Sequence, residues 1–244
     1  MSYRHEEVKP YSSEGEKREQ IEAMFDNIAP EYDRFNYLAS MNIDKIWRKR
    51  AISSLKPYAP KKVLDIATGT GDLAIQINSR LRPDLIIGCD ISEGMMQVAR
   101  QKCQKRGMTN IRFEHEDCTA LSYPDNTFDA VTSSFGIRNF QELDKALGEM
   151  CRVLRPGGHL AVLELSSPTR FPMKQLFPLY ARFVMPFLGR LFSKDAKAYR
   201  YLPESMAAFP QGEVLEKALY RAGFGKVSFR RLTGGVCTLY IAEK

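Results

Sequence analysis

Paired cysteines, clustered histidines and long uninterrupted apolar runs are all missing from this chain of 244 residues. The five cysteines (Cys89, Cys103, Cys118, Cys151, Cys237) are scattered with no C-x-x-C pair, and the histidines are His5, His115 and His159 alone. That spacing argues against a zinc site or a disulfide framework, so no metal is expected. The first twenty residues are polar and charged with no apolar segment behind them, so no secretory signal is expected and the protein is placed in the cytoplasm. The most apolar region, Phe171 to Phe192, is broken by Lys174, Arg182, Arg190 and three prolines, which argues against a membrane-spanning helix. Repeats and low-complexity tracts are lacking as well.

What is present is an apolar content of 44%, enough for one sizeable core, and a net charge of +7, which favours anionic surfaces and ligands. No concentrated strip of basic and aromatic residues accompanies that charge, so nucleic acid is not an expected partner. Residues 1–15 read as a mobile tail, and 16–244 as a single domain. Within it, 16–56 read as a helical lid: Ile21, Met24, Phe25 and Ile28 share one face, a loop rich in Tyr, Asn and Asp follows, then Ile43, Ile46, Trp47 and Ile52.

From Lys61 to Leu165 short apolar runs alternate with helix-length segments. Val63 to Ala67, Leu85 to Cys89, Ile111 to Phe113, Phe128 to Thr132 and His159 to Leu165 read as strands, with Pro156-Gly157-Gly158 ending the helix before the fifth. This rhythm predicts an α/β fold, a mostly parallel sheet with helices on both faces. After an insertion over 166–210, a helix near Gly212 to Arg221 leads to Lys226–Arg231 and Val236–Ala242, whose Thr233-Gly234-Gly235 connection predicts an antiparallel hairpin at the sheet end.

The segment Val63-Leu64-Asp65-Ile66-Ala67-Thr68-Gly69-Thr70-Gly71-Asp72 carries the chemistry. An apolar strand runs into a glycine turn that opens a helix, presenting backbone N–H groups where open α/β sheets bind ligands. Gly69 and Gly71 let the backbone approach a ligand, and Asp90, closing the second strand, is placed to accept from a ribose diol. Gly69 to Ala74 also satisfies the loose G-x-G-x-x-[GA] dinucleotide pattern. Asp65 separates the two readings. Inside the first strand it would repel a pyrophosphate, whereas it suits the ammonium of S-adenosylmethionine. Asp117-Cys118 follows the third strand where an adenine would lie, and the fourth strand ends at Ser133-Ser134-Phe135.

With these features the sequence resembles the seven-stranded class I S-adenosylmethionine methyltransferases and, more narrowly, the ubiquinone/menaquinone C-methyltransferase family. The narrower resemblance rests on Phe25-Asp26-Asn27-Ile28-Ala29, Tyr32-Asp33, Pro124 to Asp129, Ser134-Phe135-Gly136-Ile137-Arg138-Asn139, Arg155-Pro156-Gly157-Gly158 and Tyr199 to Ser205. It implies cofactor contacts from Thr70, Asp90, Asp117, Cys118 and Ser134. The family often has Asn-Ala where this chain has Asp117-Cys118; an aspartate can still accept from the adenine amino group.

The resemblance implies C-methylation of an isoprenoid quinol. Arg138, just beyond Ser134, is the expected catalytic residue, stabilising the phenolate of the reduced ring; it is too basic to take the proton itself. Tyr32, Asn139 and Tyr201 are candidate walls around the ring. Residues 171–192 have two readings: an amphipathic cover that encloses the isoprenoid tail and touches the membrane surface, or broken helices that bury their apolar side chains as core and form a homodimer contact. The close fit to the bacterial family favours demethylmenaquinol over a benzoquinol; a sterol or polyketide acceptor is the alternative within the same enzyme class.

Overall fold

The computed structural model describes residues 2–12, 14–184 and 196–244. Seven strands form one sheet in the order β3-β2-β1-β4-β5-β7-β6. β1 (Lys62–Ile66), β2 (Leu85–Asp90), β3 (Ile111–His115), β4 (Phe128–Ser134) and β5 (Leu154–Leu165) run parallel, while β7 (Cys237–Glu243) is antiparallel to both β5 and β6 (Lys226–Leu232). The expected sheet, with its C-terminal antiparallel hairpin, is what the chain forms.

Alternation along the strands divides the interior in two. Leu64 and Ile66 join Val131, Leu160 and Val162 beneath α5 (Leu143–Val153) and α8 (Glu213–Arg221). Val63 joins Ile86, Ala130 and Ala161 on the opposite face, beneath α2 (Ile43–Leu55) and α3 (Asp72–Leu81). A side-chain period of two on strands buried on both faces requires this division. Strand order reverses at β1, between β2 and β4, so the carboxyl ends of these three strands frame the crevice where open α/β sheets bind ligands.

Three expectations need correction. The lid's first helix, α1, runs Lys17–Ala39 straight through Pro30, so the expected Tyr/Asn/Asp loop is helix and only 40–42 turn the chain. Ile28, Tyr32, Phe35 and Ala39 continue one packed stripe at helical spacing, which holds the helix together across the lost proline N–H. The supposed mobile tail is packed: Tyr3 and His5 are buried, Tyr3 Oη donates to Asp144 at 2.7 Å, and the His5 ring meets Phe209 edge-on. α5 ends at Val153, before the Pro-Gly-Gly turn, and Leu154 to Gly158 already belong to β5.

The insertion begins with α6 (Met173–Leu179), and α7 (Ala196–Ala208) follows the undescribed segment. Met173 and Phe177 turn inward against Ile43 and Trp47, while Phe171, Leu176, Leu179 and Phe183 stand in solvent, Phe171 at 82% exposure. Val184 is exposed as well, so the reading that buries all these side chains as core fails for five of the described ones. Residues 185–192 of that stretch lie outside the described residues.

Candidate active site

Asp65 lies between Gly88 on β2 and Thr132 on β4. The missing side chain at Gly88 makes room for Thr68, whose hydroxyl donates to Asp65 Oδ2 at 2.7 Å; Thr132 Oγ1 donates to Oδ1 at 2.7 Å. The carboxylate is thus enclosed beneath the glycine turn and does not line the cavity above it. Burial pushes its pKa up to about 6, against the two hydroxyl bonds.

Above it the turn is closed by Gly71 N–H donating to the Thr68 carbonyl at 3.0 Å, and the Gly69 N–H donates to Asp90 Oδ2 at 2.8 Å. A Cβ on Gly69 would meet nothing within 4 Å, so the backbone there is open to a ligand. Gly71 differs: a Cβ would press on Ala99 and Phe113, so its freedom serves helix packing. The other Asp90 oxygen takes the Ser92 N–H at 3.0 Å; each oxygen keeps lone-pair capacity, and burial raises the carboxyl above its usual range.

Gly69, Asp90, Asp117, Cys118, Ser134 and Asn139 line one cavity. Asp65, Thr70 and Gly71 do not; they hold its floor. Thr70 is turned away, its hydroxyl donating to Asp33 Oδ1 of α1 at 2.6 Å. Lys102 completes that latch, its ammonium 2.6 Å from Asp33 and 2.7 Å from Asp72. A second latch is Asp26, which accepts from Ser92 Oγ at 2.6 Å and from the Gly94 N–H at 2.9 Å, at the start of α4 (Glu93–Lys105). A carboxylate there suits the unpaired N–H groups of a helix start. Arg18 reaches across the mouth to Asp117, whose pKa burial would raise but the Thr119 N–H and hydroxyl and Arg18 hold low.

A second, mostly apolar cavity shares Phe25, Tyr32 and Phe135 with the first. Arg138 and Tyr201 line it, with Ile28, Phe35, Trp47 and Phe177 among its apolar walls. The structure thus gathers Tyr32, Arg138 and Tyr201 around one space, while Asn139 faces the first. The junction is backbone under tension: Ala67 after β1 and Phe135 after β4 both have positive φ, 52° and 63°, and a Cβ on Gly136 would collide with Ala67.

Arg138 is held in a buried ion pair with Glu164 on β5. Its Nη1 donates to Glu164 Oε1 at 2.9 Å and its backbone N–H to Oε2 at 3.1 Å. Burial works against the charge, but Glu164, with Tyr32 and Tyr201, raises its pKa further, so it stays protonated. The pair is close to neutral as a unit, and among the described residues the buried Arg138 Nε–H has no acceptor.

A glycine turn with open backbone beside carboxylates, joined through an aromatic wall to an apolar cavity with paired arginine, accords with the family profile that matches residues 13–244, described as the ubiE/COQ5 methyltransferase family. The chain belongs to the ubiE/COQ5 methyltransferase family. It is 57% identical to the demethylmenaquinone methyltransferase of Bacteroides fragilis over the whole of both chains. It is 45% identical to that of Thermus thermophilus, over 91% of this chain and all of the relative. A Francisella tularensis ubiquinone/menaquinone biosynthesis C-methyltransferase is 38% identical over 94% of this chain and 92% of its own. Among solved structures, a Thermotoga maritima S-adenosylmethionine-dependent methyltransferase superposes with a TM-score of 0.63 at 19% identity, covering 91% of this chain and 99% of that one, a likeness of fold.

In this ubiE/COQ5 methyltransferase, sequence reasoning passed over Glu164, Asp44 and Arg48. Glu164 had a legible signal, an acid inside an apolar strand, the same signal that exposes Asp65. Asp44 and Arg48 form an (i, i+4) pair on α2, buried at 4% and 6% exposure, with Arg48 set over the Phe135 ring at 5.3 Å.

Proposed function

We propose that this enzyme methylates a ring carbon of a reduced, demethylated isoprenoid quinone, converting demethylmenaquinol to menaquinol with S-adenosylmethionine as methyl donor. The observation that carries the reading is the junction of two unlike cavities at Phe25, Tyr32 and Phe135: one edged by carboxylates and open backbone, the other apolar with buried guanidinium. The donor set of the first fits the cofactor, with Asp90 for a ribose diol, open backbone at Gly69, and Asp117 and Cys118 toward an adenine. When bound, the sulfonium supplies an electrophilic methyl whose bond to sulfur breaks as the carbon–carbon bond forms, sulfur keeping the pair.

A quinone ring is too electron-poor to receive that methyl; the reduced ring is not. Its phenolate oxygen pushes density onto the neighbouring carbon, and after transfer the hydrogen on that carbon leaves as a proton, taken up by water, to restore aromaticity. Ionising a phenol of pKa about 10 at pH near 7 costs about 4 kcal/mol. Arg138, held by Glu164, would offer its unpartnered Nε–H to the developing charge in a buried, mostly apolar cavity. Alignment of ring and methyl across the shared wall accounts for the remaining acceleration.

The apolar face of α6 supports peripheral contact with a membrane, where such a substrate resides. α6 docks beside the α1–α2 corner, where Leu38, Met41 and Ile46 are also exposed, and Tyr180 Oη bonds to the Ala39 carbonyl. No described helix is long and apolar enough to cross a bilayer. Flotation with anionic vesicles separates lipid contact from a dimer of the same face, which would appear as a doubled mass in solution without lipid.

The activity test uses methyl-labelled cofactor with demethylmenaquinol, once kept reduced and once oxidised. Label on the ring carbon under reducing conditions alone is the expected result; cofactor binding without label in either arm would overturn the substrate assignment.

A further inference from the structure

Two buried arginines line the second cavity, and only Arg138 has been given a task. Arg48 repeats its arrangement. Each uses Nη1 on a buried carboxylate, Asp44 for Arg48 and Glu164 for Arg138, and each has a buried Nε–H with no acceptor among the described residues. They sit on two sides of Phe135: the Arg48 guanidinium lies over its ring and Arg138 Nη1 donates to its carbonyl. A buried donor without a partner is costly, and an ordinary structural ion pair would not leave one in each arginine of one cavity.

We propose that Arg48 is a second substrate-binding residue, holding the ring oxygen remote from the carbon that is methylated, so that the two arginines together select a para-dihydroxy ring. The inference rests on the quinol reading. It assigns Arg138 the hydroxyl beside the reacting carbon and Arg48 the one across the ring, next to the carbon that bears the isoprenoid chain. The chain then leaves on the Arg48 side, where Ala39, Phe177 and Tyr180 line the same cavity beside exposed Leu38 and Met41. The remote oxygen is meta to the reacting carbon and donates little density to it, so its recognition is a matter of binding and specificity.

The test compares three reduced, short-prenyl acceptors with the full-length protein: the diol, the analogue lacking the hydroxyl beside the reacting carbon, and the analogue lacking the remote one. The first is turned over, the second is not, and the third is turned over with kcat/KM lowered about 10- to 100-fold, mainly through KM, as loss of one charge-assisted hydrogen bond predicts. The variant Asp44→Asn/Arg48→Met, which removes both buried charges together, lowers the diol to the rate of the third acceptor and leaves that acceptor unchanged. A structural role would instead slow both acceptors alike. Equal kcat/KM for the diol and the third acceptor in the unaltered enzyme overturns the proposal whether or not the variant folds. Failure of the diol itself overturns the quinol reading, and the inference with it.

Discussion

Replacing Asp65 by asparagine should make the protein more stable and its cofactor site worse. The carboxyl is 1% exposed and its pKa is pushed up to about 6 from an ordinary 3.8, chiefly by burial. A shift of about 2 units corresponds to about 3 kcal/mol. The sign follows from proton counting: between pH 3.8 and 6 the native state binds the proton more firmly than the unfolded chain, so raising pH through that window destabilises the protein until, above pH 6, the full cost is present. Asparagine removes that cost while its carbonyl still accepts from one threonine and its amide can donate to the other oxygen, a retained geometry that limits the loss to about 1 kcal/mol. Urea unfolding of both proteins at pH 4, 5, 6 and 8 should show a difference near zero at the acid end, growing to about 1–3 kcal/mol in favour of Asp65→Asn at pH 8; taking the difference cancels groups that titrate alike in both. Cofactor affinity should move the other way. Loss of a buried carboxylate's attraction for a ligand cation should weaken binding by about 1–2 kcal/mol, on the order of 10-fold in Kd. A stability difference that ignores pH would refute the burial argument, and unchanged cofactor affinity would leave Asp65 as a support for the turn alone.

Other perturbations test other parts of the site. Gly136→Ala should weaken cofactor binding and cost about 1–3 kcal/mol of stability, because the new Cβ collides with Ala67 at the cavity lip; calorimetry and thermal unfolding check both. The His5 pKa is lowered to about 3 by burial and by Lys17, so stability is complete above pH 6.5 and falls by about 1.4 kcal/mol per unit as the pH drops below it; His5→Leu should flatten that slope in acid unfolding curves. Glu164→Gln should destabilise the fold by about 3–5 kcal/mol, since it strands a buried guanidinium, yet move the acid limb of the kcat profile to lower pH by favouring the phenolate.

The sheet was legible because its signals are local. Strand after strand places an apolar run before a helix-length segment, and an acid inside the first run marks a site. Where the sequence misled, contacts from far along the chain decide. Nothing near His5 announces burial: its cover is Phe209 and its neighbour Lys17, whose ammonium reaches the His5 carbonyl at 2.7 Å. Pro30 reads as a helix end until the stripe through Tyr32, Phe35 and Ala39 is seen packed. Asp44 and Arg48 have the spacing of an exposed helix pair, worth a few tenths of a kcal/mol on a surface, and only the sheet and α6 closing over α2 make it an interior one.

The two buried arginine–carboxylate pairs have a common logic. A bare guanidinium in an apolar cavity would bind any anion in the ground state, and uniform binding of that kind does not speed a reaction. Pairing Arg138 with Glu164 and Arg48 with Asp44 brings the cavity near neutrality, which suits the uncharged quinol of the proposed reaction, while each Nε–H is left without an acceptor among the described residues. In the proposed mechanism the donor beside the reacting carbon gains strength as the phenol oxygen becomes an oxyanion, which would make its contribution largest at the transition state. On the proposed roles, two carboxylates that sequence reasoning passed over would set how selective the arginines are, by cancelling the attraction that would be wasted before the chemistry begins.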